Sequence, residues 1–462
     1  MTTRAPAPST RKVRRDVAGG KRADGHRRAK RVRRPDPRRI QVHATESKLT
    51  GTAGLVPFGA FVRDLGLDRH LATFNRLKPD SSVYPMASQM RLLIDAMVAG
   101  EERVFGLEAL AADPLFVRLA GGVVPSLDTC YRDLRRFDER ALADLEQFVV
   151  EHGLALTRGR KLDIAHIDID TTVEPLFGTQ QGALPGPNPR YHGRPSYHPM
   201  LARIAETDTV VGAVLRPGDT GVGGDDVAWI EHTLDCIREA TGPDVALYVR
   251  MDAAADCASI LDAIDGRKAL FVVKARMTPD LMGAVTTVRK WRTTDVDADG
   301  KPREQVAELD FARGPWGEHN YRVIAVRQRE RPSGKEILLW DDLEYSVQVY
   351  VTNERAEAPE DVARRYNNRA GIEPLIGELK HGWGIGKVPS QSFAANHAML
   401  LLKLLAYNLM RRFVHAMYPQ LVLWRAPWLR RALILVPGRL VRSGRRWTVR
   451  VPERSMLSCW IN

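Results

Sequence analysis

The sequence predicts an α/β protein in which a mixed sheet carries helices on its faces. First, the apolar residues change at Lys161 from helical spacing to the alternation of a strand. Second, three predicted strands follow one another before strands and helices alternate, an order that favours a mixed sheet. Third, helical spacing returns from Ala358. With 462 residues and 44% hydrophobic content, the chain is long enough for several domains with buried cores.

Positive charge is concentrated at the two ends of the chain. The net charge is +13 and the pI is about 9.7. Residues 1–40 have a net charge of +12 and residues 403–462 a net charge of +11, whereas residues 41–402 have a net charge of −10. We therefore expect a partner with dense negative charge, nucleic acid first.

Residues 1–45 are predicted to be a disordered Arg-rich arm. The stretch is rich in Arg, Pro, Ala and Gly and lacks apolar periodicity. It is either a phosphate-binding arm or a poorly translated start region, and the sequence leaves both open.

Cysteine usage and hydropathy indicate a cytoplasmic protein without a membrane span. The four cysteines have a spacing that suits neither a zinc site nor a disulfide framework. The start of the chain is polar and Arg-rich, unlike a signal peptide, and no apolar run reaches about 18 residues.

Residues 46–158 have apolar side chains at helical spacing, so we predict a helical domain. Within it, Ser126 is a candidate N-cap after Pro125, and the helix that follows carries arginines away from its apolar side. Such a helix either enters a DNA groove or presents a solvated charged face. The arginines are Arg132, Arg135 and Arg136.

Residues 159–279 are predicted to form the first part of the mixed sheet. Alternation predicts strands in 162–173, 199–206, 210–218, 245–253 and 269–277, and 3.6-residue spacing predicts helices in 225–241 and 257–266. In "GDTGVGGDD" the Lys-Ser/Thr of a phosphate-binding loop is missing, which excludes an ATP site of that type.

A β-rich block at 280–353 interrupts this domain. Strands are predicted in 288–296, 306–312, 321–330, 337–343 and 345–353, and "DADGK" is a turn joining two of them. Residues 354–418 are helical again and complete the domain, and 419–462 form a basic C-terminal region.

Three acidic residues are candidate metal ligands because of their positions. Asp170 lies near the end of the first sheet strand and Asp252 ends an apolar strand, so both face the rim of the sheet where α/β folds bind ligands. Glu373 lies on a later helix that can pack across that rim. Carboxylates of this kind suit Mg²⁺, which keeps waters and takes few protein ligands. Taken singly, each Asp can equally be a turn or cap residue.

The stretch "YNNRAGIEPLIGELK" places four polar groups near one side of a helix. Arg369 and Lys380 could hold phosphates beside Glu373, and Tyr366 could donate a hydrogen bond to a phosphate oxygen. The alternative is an ordinary ion pair between Arg369 and Glu373 at i,i+4. Pro374, with Gly371 before it, predicts that the helix bends or begins near Glu373.

This stretch resembles a known signature. Its spacing matches the Tyr-x2-Arg-x3-Glu-x6-Lys signature of cut-and-paste DDE transposases from bacterial insertion sequences. "DIDTT", "YVRMDAAAD", and "YVTN" followed by "YNNRAGIE" resemble the three blocks that hold the family's acidic residues. The resemblance spans roughly residues 50–455.

The resemblance implies an RNase H-like catalytic core with Asp170, Asp252 and Glu373 as the metal-binding triad. The family's first Asp lies in Asp-x-Thr, which favours Asp170 over Asp168; Asp256 is the corresponding reserve for Asp252. The implied cofactor is Mg²⁺, as two ions, with Mn²⁺ able to substitute.

The implied reaction is cleavage at the ends of the insertion sequence, followed by strand transfer into target DNA. The implied partners are terminal inverted repeats and target DNA, bound by a homodimer in the synaptic complex of a nucleoid-associated bacterial protein. The 46–158 region would bind the DNA ends. Trp340 is a candidate for stacking on a flipped base, with Trp291 and Trp316 as competitors. The alternatives are a catalytically silent DNA-binding relative and an RNase H-like nuclease without strand transfer.

Overall fold

The computed structural model describes residues 41, 43–186, 192–312, 316, 319–329 and 345–457. The chain forms two compact units. The first is formed by the described residues within 41–136, 382–389 and 409–457, and the second by those within 137–381 and 390–408. Nearly all of the predicted arm, the predicted strand 337–343 and Trp340 lie outside the described residues.

Helices are the main regular elements in the described part of the first unit. A short strand, Leu49–Thr50, is the exception within 46–158. Ser126 caps its helix as predicted, because its hydroxyl accepts a hydrogen bond from the Thr129 N–H at 3.3 Å. In the described residues the α-helices are α1 Leu55–Asp64, α2 Leu67–Leu71, α3 Met86–Ala99, α4 Leu107–Leu110, α5 Pro114–Leu119, α6 Leu127–Leu134, α7 Glu139–Leu154, α8 Val227–Thr241, α9 Ala258–Gly266, α10 Pro279–Thr286, α11 Pro359–Asn367, α12 Ile372–Gly382, α13 Phe393–Met417 and α14 Ala426–Leu429.

Helix α7 belongs to the second unit, whereas the sequence placed it in the helical region 46–158. Its C-terminal turn packs closely on the sheet, since a Cβ at Gly153 would lie 2.0 Å from the Val210 carbonyl oxygen. The Thr209 hydroxyl donates to the Gly153 carbonyl at 2.8 Å. Asn408 donates to the Val149 carbonyl at 3.0 Å and to the Val210 carbonyl at 2.7 Å. These buried contacts bind the helix to the sheet.

The second unit is built on a mixed sheet, as predicted. In the described residues of both units, the strands are β1 Leu49–Thr50, β2 Ile164–Thr171, β3 Glu174–Pro175, β4 Leu184–Pro185, β5 Pro195–Tyr197, β6 Met200–Ile204, β7 Thr209–Val214, β8 Ala246–Met251, β9 Leu270–Lys274, β10 Arg292–Val296, β11 Pro302–Leu309, β12 Arg322–Arg329, β13 Tyr345–Thr352, β14 Gly438–Ser443 and β15 Arg446–Arg450. The mixed sheet of the second unit has nine of these strands, in the order β10-β11-β12-β13-β9-β8-β2-β6-β7. Strand β2 pairs antiparallel with β6 and parallel with β8, and β8 pairs parallel with β9.

The predicted β-rich block is an extension of this sheet and does not form a separate layer. Strand β13 pairs antiparallel with β9, with Val351 opposite Val273, so β10–β13 continue the sheet from its edge. The predicted "DADGK" turn joins β10 and β11. Helix α10 was not predicted; Thr278 caps it and Pro279 occupies its first position.

The core of the second unit forms where apolar strand faces meet the helices. Its buried residues include Ile167, Ile169, Val249 and Phe271, with Ile230 of α8 packed against them. No helix in the described part of the chain has both the length and the apolar character needed to cross a bilayer. The three described cysteines, Cys130, Cys236 and Cys257, are free thiols.

Candidate active site

Two of the predicted acidic residues lie side by side at the ends of neighbouring parallel strands. In the β2–β8 pair Ile164 is opposite Ala246 and Asp168 is opposite Arg250, a constant offset along the strands. The same offset continued by two residues brings Asp170 beside Asp252. Since both strands run in one direction, the two carboxylates meet at the same edge of the sheet.

Local backbone hydrogen bonds orient both carboxylates. The Thr171 N–H donates to Asp170 Oδ1 at 2.9 Å. Asp252 caps the 3₁₀ turn Ala253–Ala255, since the Ala254 N–H donates to its Oδ1 at 3.0 Å. Each carboxylate therefore keeps its second oxygen for another partner.

The third acidic residue enters from a broken helical segment. Helix α11 ends at Asn367, a 3₁₀ turn covers Asn368–Gly371, and α12 begins at Ile372. The prediction of a break next to Glu373 is confirmed. Pro374 lies in the first turn of α12, where its missing N–H would have no intrahelical partner. Glu373 is exposed at the start of α12.

The electrostatics of Asp170 show that the three carboxylates lie within range of one another. Burial raises the pKa of Asp170 to about 6, Arg369 opposes this shift, and the negative charges of Asp252 and Glu373 add to it. Arg369 Nη2 lies 2.9 Å from Asp170 Oδ2, and both side chains are largely buried. The Arg369 guanidinium is therefore paired with Asp170 and also lies within electrostatic range of Asp252.

These carboxylates fit a divalent cation in donor type and charge. Mg²⁺ takes hard oxygen ligands, and a cluster with excess negative charge favours a cation over additional protons. In the described part of the chain, no three His, Cys, Asp or Glu side chains are already close enough to hold a metal ion. Asp170 contacts Arg369 in this arrangement, so binding of a metal would require that ion pair to adjust.

The other residues of the signature contact protein groups. The Lys380 ammonium donates to the Val173 carbonyl at 2.9 Å and lies 3.3 Å from Glu174 Oε1. The Tyr366 ring is buried against Tyr350, with ring centroids 4.5 Å apart. Burial raises the pKa of Tyr366, an effect that neighbouring Arg369 opposes.

Asp168, the reserve for the first acidic position, is fully committed to arginines. Its side chain is 0% exposed. Arg203 Nε donates to its Oδ2 at 2.8 Å, while Arg250 donates to Oδ1 at 2.6 Å and to Oδ2 at 3.1 Å. Both arginines are buried. Asp168 is thus a structural carboxylate two residues before Asp170.

The Asp168 cluster also supports the turn that carries Arg369. Arg250 Nη1 donates to the Arg365 carbonyl of α11 at 2.9 Å. A Cβ on Gly371 would lie 2.4 Å from Arg203 Nη2, so the arginine packs directly against the 3₁₀ turn. Neither Arg203 nor Arg250 is among the site residues predicted from the sequence. The available signal was an arginine inside each of two apolar strands, which requires a buried partner.

Comparison with known proteins decides the family. Residues 32–458 match the family model described as transposase DDE domain group 1. The chain belongs to this family. It is therefore a DDE transposase, an enzyme that cuts and joins DNA strands in transposition. A piggyBac transposase synaptic complex with hairpin DNA, determined by cryo-EM, is similar over 82% of this chain and 78% of that chain, with 12% sequence identity and a TM-score of 0.48. No curated protein sequence matches the chain.

Asp256 of the transposase, the reserve for the second acidic position, is buried and hydrogen-bonded to other groups. The Trp316 indole N–H donates to Oδ1 at 2.6 Å, and the Arg276 backbone N–H donates to Oδ2 at 2.6 Å. Trp316 is 1% exposed, so its indole is packed in the core. Trp291 is stacked under Arg327, whose Cζ lies 4.4 Å from a ring centroid. These contacts give structural roles to Asp256 and to Trp316.

The three arginines singled out on and after α6 are exposed in the transposase. Arg136 Nε lies 3.1 Å from Asp133 Oδ1, and Asp133 also binds Lys78 at 2.7 Å. Arg132 donates to the Thr129 hydroxyl at 3.3 Å. This surface is therefore partly neutralised by its own acidic residue.

Proposed function

We propose that this transposase is a divalent-metal-dependent enzyme of a bacterial insertion sequence, which cleaves at terminal inverted repeats and transfers the freed strands into target DNA. Asp170, Asp252 and Glu373 would hold the metal, Mg²⁺ as two ions, with Mn²⁺ able to substitute. The observation that carries the proposal is the placement of Asp170 beside Asp252, with the Glu373 helix adding a third carboxylate charge.

The strand order supports an RNase H-like core. Strands β7-β6-β2-β8-β9 place three sequential antiparallel strands beside two parallel ones, with helices α8 and α9 in the connections. This is the order expected for the core from the sequence resemblance. In this proposal 159–279 and 354–418 build the core, and the β-rich residues 280–353 enlarge its sheet.

The chain's own residues orient the reacting groups. A bound divalent ion would stabilise the charge on the attacking and leaving oxygens of a phosphoryl displacement. The Thr171 and Ala254 N–H groups each hold one oxygen of Asp170 and Asp252, and the second oxygen of each would be available to the metal. Glu373 is the movable member, since it is exposed at the start of a helix that follows a break.

Arg369 is the best-supported phosphate contact. Its Nε is buried without a hydrogen-bond acceptor in the described part of the chain, and its Nη2 is paired with Asp170 Oδ2 at 2.9 Å without hydrogen-bond geometry. A buried guanidinium whose donors are not all hydrogen-bonded suits an incoming phosphate oxygen. Lys380 and Tyr366 would be further phosphate contacts, Lys380 after release from Glu174.

The remaining roles belong to the same proposal. Residues 46–158, with Arg132, Arg135 and Arg136, would bind the DNA ends, and the arm 1–45 and the basic region 419–462 would add phosphate contacts. Trp340 would stack on a flipped base. A homodimer would bring the two ends together, and association with the nucleoid would follow from DNA binding.

A cleavage assay tests the proposal. The purified protein is incubated with Mg²⁺ and a supercoiled plasmid carrying the inverted repeats that flank the gene. We expect cuts at the repeats and joined products with wild type, and neither with Asp170→Ala, Asp252→Ala or Glu373→Ala. Asp225→Ala is the matched control, because Asp225 is an exposed carboxylate of the same unit.

The outcomes separate the alternatives. Cleavage by the three variants at the wild-type rate would show that the assigned site is wrong. Binding of the repeats by wild type without any cut would favour the catalytically silent relative. Cuts without joined products would favour a nuclease that lacks strand transfer.

A further inference from the structure

A basic β-ribbon lies in the first unit. Strands β14 and β15 pair antiparallel, with Leu440 opposite Val449 and Ser443 opposite Arg446. The two-residue loop begins at Gly444, whose φ of 60° suits a tight hairpin. Strand β1 pairs only with the base of the ribbon, at Gly438 and Arg439, so within the described residues the rest of it has no neighbouring strand on that edge.

The two faces of the ribbon differ in chemistry. On the inner face Leu440 is buried, and Trp447 lies under Arg118, whose Cζ is 4.0 Å from a ring centroid. Alternation places the other set of side chains on the opposite face. That outer face carries Arg439, Ser443, Arg446, Thr448 and Arg450, all exposed.

The charge of the ribbon is hardly compensated. Residues 438–450 contain five arginines and no acidic residue. Arg439 lies 3.3 Å from Glu46, with both side chains exposed. Arg446 and Arg450 make no ion pair with any residue that the structure describes. The ribbon thus differs from α6, where Asp133 pairs with Arg136.

We propose that the outer face of the ribbon β14–β15 is a docking surface for duplex DNA, an inference that rests on the proposed function. A two-stranded ribbon fits the major groove, which is about 12 Å wide. The arginines would contact phosphates, and the Ser443 and Thr448 hydroxyls would add hydrogen bonds. The packed inner face holds the ribbon on its unit, so that the cationic face stays outward.

Salt-dependent DNA binding tests this surface. Binding of a short fluorescein-labelled duplex is followed by anisotropy in EDTA, between about 50 and 200 mM salt. The variant Arg446→Ala/Arg450→Ala is compared with Arg289→Ala/Lys290→Ala, which removes the same charge from exposed positions of the second unit that have no assigned DNA contact. We expect the ribbon variant to bind roughly tenfold more weakly, and its slope of log affinity against log salt to decrease by about 2.

The controls make the result specific. The charge-preserving variant Arg446→Lys/Arg450→Lys should recover most of the affinity, and all variants should keep the wild-type unfolding midpoint. An unchanged affinity and slope in the alanine variant, or an equal loss in the Arg289/Lys290 control, would overturn the proposed surface. Plasmid cleavage by wild type would still support the proposed function in that case. Failure of wild type to bind any DNA would instead contradict the proposed function itself.

Discussion

Asp168 and Asp170 stand two residues apart on strand β2, yet their surroundings are opposite. Asp168 accepts hydrogen bonds from Arg203 and Arg250, so two positive charges compensate one buried negative charge. Asp170 has Arg369 beside it, but Asp252 and Glu373 add negative charge, and its pKa rises to about 6. The charge of Asp168 is therefore compensated by its neighbours, whereas the surroundings of Asp170 carry an excess of negative charge.

In the proposed assignment, this difference separates a structural carboxylate, Asp168, from a metal ligand, Asp170. A buried carboxylate that is fully paired keeps its charge because protein donors satisfy it. A carboxylate held near others of the same sign is costly to ionise and gains when a cation binds. In the proposed site, the excess of negative charge at Asp170 would favour binding of the metal, and the paired Asp168 would stabilise the strand that carries both residues.

The largest expected effect separates the two residues by activity. We expect Asp170→Asn to reduce metal-dependent plasmid cleavage by at least about 1,000-fold, on the scale of removing a member of a catalytic unit. Asp168→Asn, measured per folded molecule, should lose about 10- to 100-fold, because it acts through positioning. Initial rates of nicking under equal Mg²⁺ check this. Equal losses in the two variants would mean that the comparison is mistaken.

The second expected effect concerns stability, where Asp168→Asn should be the more damaging of the two substitutions. Asp168→Asn leaves Arg203 and Arg250 buried without their carboxylate, so the free energy of unfolding should fall by about 3–5 kcal/mol. Asp170→Asn should lose less unfolding free energy, because the substitution also removes a carboxylate that is costly to ionise. Urea unfolding at neutral pH in EDTA measures both. A larger loss in Asp170→Asn would show that Asp170 is the better compensated residue.

The pH dependence of stability isolates the Asp170 charge. The folded chain keeps a proton on Asp170 between about pH 4 and pH 6, where the unfolded chain has released it. The free energy of unfolding should therefore fall as pH rises through this window, by up to about 3 kcal/mol from this group. Urea unfolding of wild type and Asp170→Asn without metal gives the difference. Identical pH profiles would exclude a raised pKa at Asp170.

The smallest expected effect concerns Gly371, where the Asp168 cluster contacts the 3₁₀ turn that carries Arg369. Gly371→Ala places a Cβ 2.4 Å from Arg203 Nη2, so the guanidinium must shift within its contacts to Asp168 and Asp208. We expect a loss of about 1–2 kcal/mol in unfolding free energy and a partial loss of cleavage. Gly377→Ala is the control, because no heavy atom lies within 4 Å of its Cβ position. If Gly371→Ala matches this control in both assays, the Asp168 cluster does not influence the active site.

Much of the core could be predicted from the sequence because its strands and helices have recognisable local sequence patterns. Alternation identified β2, β6, β7, β8 and β9, and Gly371 with Pro374 predicted the break before α12. Helix α10 carried a local signal too, since Thr278 followed by Pro279 is a typical helix start, but the flanking β-rich composition obscured it.

Long-range pairing could not be predicted in this way. No local sequence pattern indicates that β13 pairs with β9. This pairing makes the β-rich block an extension of the sheet. Alternation also puts Asp168 and Asp170 on the same side of β2. The arginines that distinguish them come from β6 and β8, and only the folded register brings Arg203 and Arg250 to Asp168.

The most direct test of the central claim maps the metal itself. Fe²⁺ replaces Mg²⁺, and ascorbate with hydrogen peroxide then generates radicals that cut the backbone beside the bound ion; mass spectrometry locates the cuts. We predict cuts near Asp170, Asp252 and Glu373 that excess Mg²⁺ suppresses, lost in Asp170→Asn and kept in Asp168→Asn. Cuts elsewhere, or cuts at these positions that survive in Asp170→Asn, would contradict the assignment of the three carboxylates as the metal site.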